Sequence, residues 1–362
     1  MTVRVGVIGG GLVAQAEHLP YLAAQRDRFT IAALAEPSAT VREALGSRYS
    51  IPGLHADHRS LLAAGGLDAV VIASPAGTHA DAVVAALEAG VHVFVEKPMC
   101  ITLADADRIV EARDRAGRVV QVGTMKRYDP SVEQLLSELP GTAAELRYVS
   151  VVVYDPEFEP YFEPGDIVRG SDVPRDLIEA TRHDEAQQVA AAVGDGSADV
   201  VRAFSESFLG SMLHDLSVVH GALAQMGEPL PAAVVAGDWW QGGRCVSGSL
   251  RLQNGTRCDL AWIQVLDTFE YRETIQFVFA DSVRTLEFPS PWLKQHPTIY
   301  RRAGAGGRMN VVQIQHSYDE SFARELRHFH GCIVEGTECR TPPEVARLDI
   351  EVLTAMFLAA QR

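Results

Sequence analysis

Three consecutive glycines at the end of an apolar run set the tightest limit on this chain. V-R-V-G-V-I-G runs into Gly9-Gly10-Gly11, and a helical pattern follows from Leu12 to Leu22. Gly9-Gly10-Gly11-Leu12-Val13-Ala14 is therefore a G-x-G-x-x-A sequence lying between a strand and a helix. In that setting one glycine makes a tight turn, and Gly11 lets a pyrophosphate approach the backbone. The free N–H groups of the helix start, at Leu12 and Val13, then face the phosphates. Ala14 allows the helix to pack closely on the strand. A second run, F-T-I-A-A-L-A-E, ends on Glu36 at about the interval where an acid meets a ribose hydroxyl. A carboxylate there repels a 2′-phosphate, so NAD is expected over NADP. Arg42, one turn into the next helix, is the residue that could still serve a 2′-phosphate.

Strand and helix signals go on alternating. Ser38 reads as an N-cap and Gly46 as the stop of the helix it opens. L-D-A-V-V-I-A-S is a third strand, ending at Ser74-Pro75. Thr78 reads as a cap, and Gly90 as the C-terminal glycine of the following helix. V-H-V-F-V is a fourth strand, and Glu96-Lys97-Pro98 follow it without a spacer. Thr102 opens a capping-box-like start, Gly117 ends that helix, and R-V-V-Q-V-G-T is the last strand. Strands apolar on both faces, alternating with helices, predict a doubly wound parallel sheet covered by helices.

The character changes after Thr124. Residues 155–200 are rich in Pro and charge, with a polar helix or two expected. Residues 205–224 are helical and apolar. From Ala232 five β-like runs follow one another with turns between them, down to V-R-T-L-E-F-P, and helix returns from Ser317. Strands in succession predict a mostly antiparallel sheet. The expected domains are 1–124 for the dinucleotide and 125–362 for substrate binding and oligomerisation.

Composition excludes some classes. A net charge of -15 over 362 residues is the wrong sign for a phosphate-backbone binder, so no nucleic-acid partner is expected. No apolar run has the length of a membrane span. The N-terminal residues show no charged leader with a cleavage site. Five cysteines, an odd count without a C-x-x-C pair, suit buried apolar roles in a reducing, cytoplasmic compartment. His328 and His330 face apart on a helix, and no metal site is expected.

With these elements placed, the chain resembles the Gfo/Idh/MocA family, named for glucose–fructose oxidoreductase, inositol dehydrogenase and a rhizopine catabolism protein. The residues that carry the resemblance are G-V-I-G-G-G-L-V-A-Q-A-E-H-L-P-Y-L, D-A-V-V-I-A-S-P-A-G-T-H through V-E-K-P-M, Q-V-G-T-M-K-R-Y-D-P, G-S-M-L-H-D-L-S-V-V-H-G-A-L and the closing helical segment. Residues 155–205 match least. The resemblance implies an N-terminal Rossmann domain and a C-terminal α/β domain with a large open sheet that often forms a dimer or tetramer interface. It implies an NAD(P)-dependent oxidoreductase acting on a sugar, inositol or other cyclic polyol.

Site residues follow from the same resemblance. Lys97 of Glu96-Lys97-Pro98 would touch the reacting hydroxyl, and the Lys97–Pro98 peptide is a candidate for cis. Ser74, Pro75 and His79 match the loop that passes the cofactor. Lys126, Arg127 and Tyr128 match the segment that lines the substrate pocket. The catalytic histidine falls on His214, while the aspartate that often stands one turn earlier is Gly210. Two alternatives remain open at this point. One is a relative that keeps NAD bound and performs elimination or epimerisation, and the other is an idle sugar or dinucleotide sensor.

Overall fold

The computed structural model describes residues 1–158, 161–163, 165–266, 268, 270–306 and 309–361. It divides into two compact units. The first comprises Met1–Thr124, Phe162–Ala192 and Phe322–Arg347, and the second Met125–Tyr161, Val193–Ser321 and Leu348–Arg362. The chain thus leaves the first unit after Thr124 but returns to it twice, so one cut does not describe its path.

The first unit is built on six parallel strands: β1 (Val3–Ile8), β2 (Phe29–Ala35), β3 (Gly53–His55), β4 (Ala69–Ile72), β5 (His92–Glu96) and β6 (Val120–Gly123). Their order is β3-β2-β1-β4-β5-β6, so the sheet reverses direction of growth between β1 and β4. Val5, Val7, Val71 and Phe94 are fully buried, each contributing about 1.5–3 kcal/mol of apolar burial. Leu326 and Phe329, from the returning helix Ser321–Val334, complete this core.

Several expected caps hold. Ser38 Oγ accepts the Val41 N–H, Thr102 accepts the Asp105 N–H, and Gly117 ends its helix at φ +61°. Gly90 N–H and Val91 N–H close the end of the helix His79–Glu88 on the carbonyls of Leu87 and Ala86. Two expectations are corrected. Gly46 does not stop its helix, which continues to Tyr49 and ends with Ser50 in the left-handed region. Its missing Cβ makes room for Leu54, whose Cδ1 would lie 2.8 Å from one. Thr78 makes no capping bond and instead donates to the Pro75 carbonyl. Strand β3, three residues long, lies outside the strands expected from sequence.

The second unit carries an eight-stranded sheet. Its strands are β7 (Leu146–Asp155), β8 (Ala233–Trp240), β9 (Cys245–Arg251), β10 (Arg257–Gln264), β11 (Arg272–Phe279), β12 (Ser282–Phe288), β13 (Ile299–Gly306) and β14 (Met309–His316). The order is β14-β13-β12-β11-β7-β10-β9-β8. Every described pairing is antiparallel except β7 with β10. The expected mostly antiparallel sheet is therefore present. Three further strands, β7, β13 and β14, lie outside the five β-like runs of the sequence. Trp239 stacks on Phe357 and Trp262 is buried, so both pack the sheet. No described helix is long and apolar enough to cross a membrane.

Candidate functional site

In the first unit the glycine loop sits where β1 ends, at the reversal of strand order, the place where such sheets bind ligands. Gly9 is at φ +96°, and a Cβ there would lie 2.6 Å from the Ala73 carbonyl, so both backbone and space demand glycine. At Gly11 a Cβ would meet nothing within 4 Å, and the residue is exposed. Leu12 and Val13, the first helical residues, are half-buried. This lip fits a pyrophosphate: free N–H groups at a helix start and no side chain in the way.

Glu36 stands at the end of β2 with both carboxylate oxygens engaged. Oε2 accepts the Gly10 N–H at 2.8 Å and Oε1 accepts the Ser38 N–H at 2.9 Å. The carboxylate is thereby fixed next to the glycine loop and stays half-exposed. Arg42, in contrast, turns its guanidinium onto the carbonyls of Glu36 (2.5 Å) and Pro37 (3.3 Å).

The β4 and β5 loops are tied together by His79. Its Nε2 lies 2.7 Å from the Ser74 carbonyl, and its Nδ1 lies 2.8 Å from the Pro98 carbonyl. Burial pulls His79 below its ordinary value against the two carbonyls, and a neutral ring donates its one N–H to only one of them. Ser74 Oγ pairs with Thr78 Oγ1, and Pro75 is exposed beside them. The Lys97–Pro98 peptide is cis, and Lys97 is half-buried at the end of β5.

Glu96 points the other way. It is 6% exposed, with Oε1 2.7 Å from His18 Nε2 and Oε2 accepting the Lys97 N–H at 3.1 Å. Glu325 joins this buried pair: donor atoms of His18, Glu96 and Glu325 lie within 4.8 Å of one another. Among the described residues neither Glu325 oxygen finds a hydrogen-bond partner. Burial first, then the charges of Glu96 and Glu17, push Glu325 well above the usual carboxylate range. It is the member that keeps its proton. The cluster lies behind Lys97 and holds its neighbour in place. His18 stands in the resembling N-terminal stretch, but no motif there marks it for this role, and nothing local marks Glu325.

The remaining predicted residues belong to the second unit. The Lys126 ammonium is buried between two acids, 3.3 Å from Asp215 Oδ1 and in closer contact with Glu273 Oε1. Burial lowers the affinity of Lys126 for its proton, but the acidic groups of Asp215 and Glu273 outweigh that and the net shift is upward. Burial and the charge of Glu273 raise Asp215, whereas Glu273 is drawn down by Lys126 against the cost of its own burial. One ammonium thus matches one carboxylate, Glu273, and Asp215 carries the proton. The Tyr271 hydroxyl donates to Glu273 and stays a phenol, held up by burial and by that charge.

This arrangement changes how the Lys126–Tyr128 segment reads. Lys126 is engaged inside the unit, and Tyr128 is among its largest fully buried side chains. Arg127 donates to the Ser217 carbonyl at 3.1 Å and lies against Gly221, where a Cβ would come within 2.6 Å of Cζ. His214 is half-buried on the helix Leu213–Gln225, directly after a π-helical turn, Arg202–Met212. A Cβ at Gly210 would lie 3.1 Å from the Ser205 carbonyl, so the π-helix crowds the position where the resemblance raises the expectation of an aspartate. No sequence pattern groups Asp215, Glu273 and Tyr271, because the acids come from distant parts of the chain and meet only around Lys126.

Comparison with known proteins agrees with this geometry. Residues 3–124 match the model of an oxidoreductase family with an NAD-binding Rossmann fold, Gfo/Idh/MocA. An inositol 2-dehydrogenase/D-chiro-inositol 3-dehydrogenase from Shouchella clausii is 40% identical over 141 residues, a stretch covering 38% of this chain and 40% of that protein. The match therefore spans well under two thirds of the relative. Over the full length the fold is shared with UDP-N-acetylglucosamine 3-dehydrogenase from Acidithiobacillus ferrooxidans, with TM-score 0.72, 19% identity and coverage of 100% and 98%. It is shared as well with a 3-ketoreductase from Actinomadura kijaniata solved with TDP-benzene and NADP, with TM-score 0.68, 17% identity and coverage of 99% and 98%. Strand order, glycine loop, Glu-Lys-Pro turn and the match over residues 3–124 agree, and this stretch of the chain is similar to the NAD-binding Rossmann domain of the Gfo/Idh/MocA oxidoreductase family.

Proposed function

We propose that this chain is an NAD-dependent oxidoreductase that interconverts a secondary alcohol and a ketone on a sugar, inositol or related cyclic polyol. The observation that carries the reading is the glycine loop at the strand-order reversal, with the Glu36 carboxylate fixed beside it. Similarity to an inositol dehydrogenase over 141 residues supports the substrate class. Residues 1–124 would hold the dinucleotide. Residues 125–362 would supply substrate contacts and the open sheet of a homodimer or homotetramer. A cytoplasmic setting suits such an enzyme.

Gly9, Gly11, Leu12 and Val13 would receive the pyrophosphate, Glu36 the adenosine ribose, and Ser74, Pro75 and His79 the middle of the dinucleotide. Glu96 belongs to this group through its backbone position, its carboxylate being turned onto His18. The bound nicotinamide supplies hydride transfer. Lys97 stabilises negative charge on the substrate oxygen, and neutral His214 takes the hydroxyl proton during oxidation. Arg127 borders the substrate, whereas Lys126 and Tyr128 act from inside the unit by positioning the helix that carries His214.

The test is reduction of NAD and NADP by the purified chain against a panel of inositols and sugars. At least one cyclic polyol or sugar should yield NADH, and Lys97→Ala should then lower kcat by about 100-fold or more. Near wild-type turnover in Lys97→Ala would remove the role given to Lys97. No reduction with any compound, together with no dinucleotide binding, would remove the reading as a whole.

A further inference from the structure

The dinucleotide groove of the first unit holds a second carboxylate that its glycine motif does not foretell. Residues 166–172, from the segment that resembles the family least, run along the lip made by the glycine loop and the helix Ala39–Tyr49. Val168 exchanges two hydrogen bonds with the Gln15 side chain: its N–H donates to Oε1 at 2.8 Å, and its carbonyl accepts from Nε2 at 3.0 Å. The same Nε2 donates to the Gly10 carbonyl at 2.7 Å. The Asp166 carbonyl accepts from Arg48 Nη1 at 3.1 Å. Gly170 passes so close that a Cβ on it would collide with Ser38 Oγ.

The strap delivers Asp172 to the turn that follows Glu36. Asp172 Oδ1 accepts from Ser38 Oγ at 2.5 Å, and Oδ2 accepts the Thr40 N–H at 2.9 Å. Those donors, a hydroxyl and a helix-start N–H, are the ones a 2′-phosphate would use at this corner. The cation within reach, Arg42, is turned onto backbone carbonyls. Two carboxylates with their donors already engaged leave acceptor capacity for a ribose hydroxyl. They offer a phosphate dianion only like charge.

We propose that Asp172 is a specificity-determining residue, acting with Glu36 to select the free 2′-hydroxyl of NAD and to reject the 2′-phosphate of NADP. The inference rests on the dinucleotide-binding reading above and adds a residue from outside the Rossmann motif.

Direct binding tests it without knowledge of the substrate. NADH and NADPH are titrated into the full chain by nicotinamide fluorescence, for wild type, Asp172→Ser, Asp172→Asn and Asp172→Glu. Wild type should bind NADH in preference to NADPH. The Ser and Asn variants should shift the affinity ratio toward NADPH by about 10-fold or more, the scale of one like-charge contact at a surface. Asp172→Glu should keep the wild-type preference. The Asn variant keeps the shape and one of the two accepted hydrogen bonds while removing the charge, and a weaker strap alone would weaken both coenzymes rather than change their ratio. An unchanged ratio in the Ser and Asn variants, an equal weakening of both coenzymes, or a wild-type preference for NADPH would overturn the role of Asp172 while leaving dinucleotide binding in place. A wild type that binds neither coenzyme would overturn the dinucleotide reading and this inference together.

Discussion

The buried cluster behind Lys97 is built around an imidazole, His18 with Glu96 and Glu325, and the buried cluster at the start of the second unit around an ammonium, Lys126 with Asp215 and Glu273. Each contains one carboxyl group that keeps its proton, Glu325 in the first and Asp215 in the second. The difference lies in what fixes the choice. In the second cluster the ammonium draws one acid, Glu273, down and leaves the other protonated. In the first, burial and neighbouring negative charge decide, and the proton itself neutralises Glu325. A buried charge is costly unless paired, and the two clusters solve that cost with a cation and with a proton.

The comparison breaks most visibly at Lys126. Lys126→Met should leave the second cluster without its cation and lower unfolding stability by about 3–5 kcal/mol in urea denaturation at neutral pH. A loss below about 1 kcal/mol would mean that the acids are not held by this pair. Adding Glu273→Gln to Lys126→Met should return about 2 kcal/mol or more, since Asp215 is already protonated and no buried anion would remain. No recovery would assign the loss to packing.

A smaller effect separates the first cluster. Glu325 has a raised value in the fold, so the stability it contributes is fully present below its unfolded value of 4.5 and is lost as pH rises through the folded value. Glu325→Gln mimics the protonated acid and should remove this dependence, flattening stability against pH above 4.5 by up to about 1.4 kcal/mol per pH unit. A parallel pair of pH curves would show that Glu325 ionises freely in the fold. The smallest effect is expected at the surface. Arg108 meets Asp81 at 2.5 Å but both are exposed, and Arg108→Ala should change stability by less than about 0.5 kcal/mol. A larger loss would blur the contrast between buried and exposed pairs.

The two units also differ in how far they could be read in advance. The glycine loop, the caps at Ser38 and Thr102, and the acid at the end of β2 were legible because each depends on residues a few positions apart. The parallel sheet followed from apolar runs alternating with helices. Gly46 misled because its glycine serves contact with Leu54 across the fold rather than a helix end. In the second unit β7 went unrecognised although L-R-Y-V-S-V-V-V-Y-D alternates over part of its length. That strand sits between β11 and β10, so the one parallel pairing in the described sheet escaped notice with it.

The sequence by itself determined the dinucleotide-type sheet, its glycine loop, Glu36 and the Glu96-Lys97-Pro98 turn, because short-range backbone geometry and strand periodicity are written in neighbouring residues. Tertiary structure decided where the charges end. Glu325 comes to Glu96 from near the far end of the chain, Glu273 and Asp215 close on Lys126 from separate elements, and Asp172 reaches Ser38 through a segment with no motif of its own. No local pattern specifies such partners, since a buried charge is matched through space by whichever element packs against it.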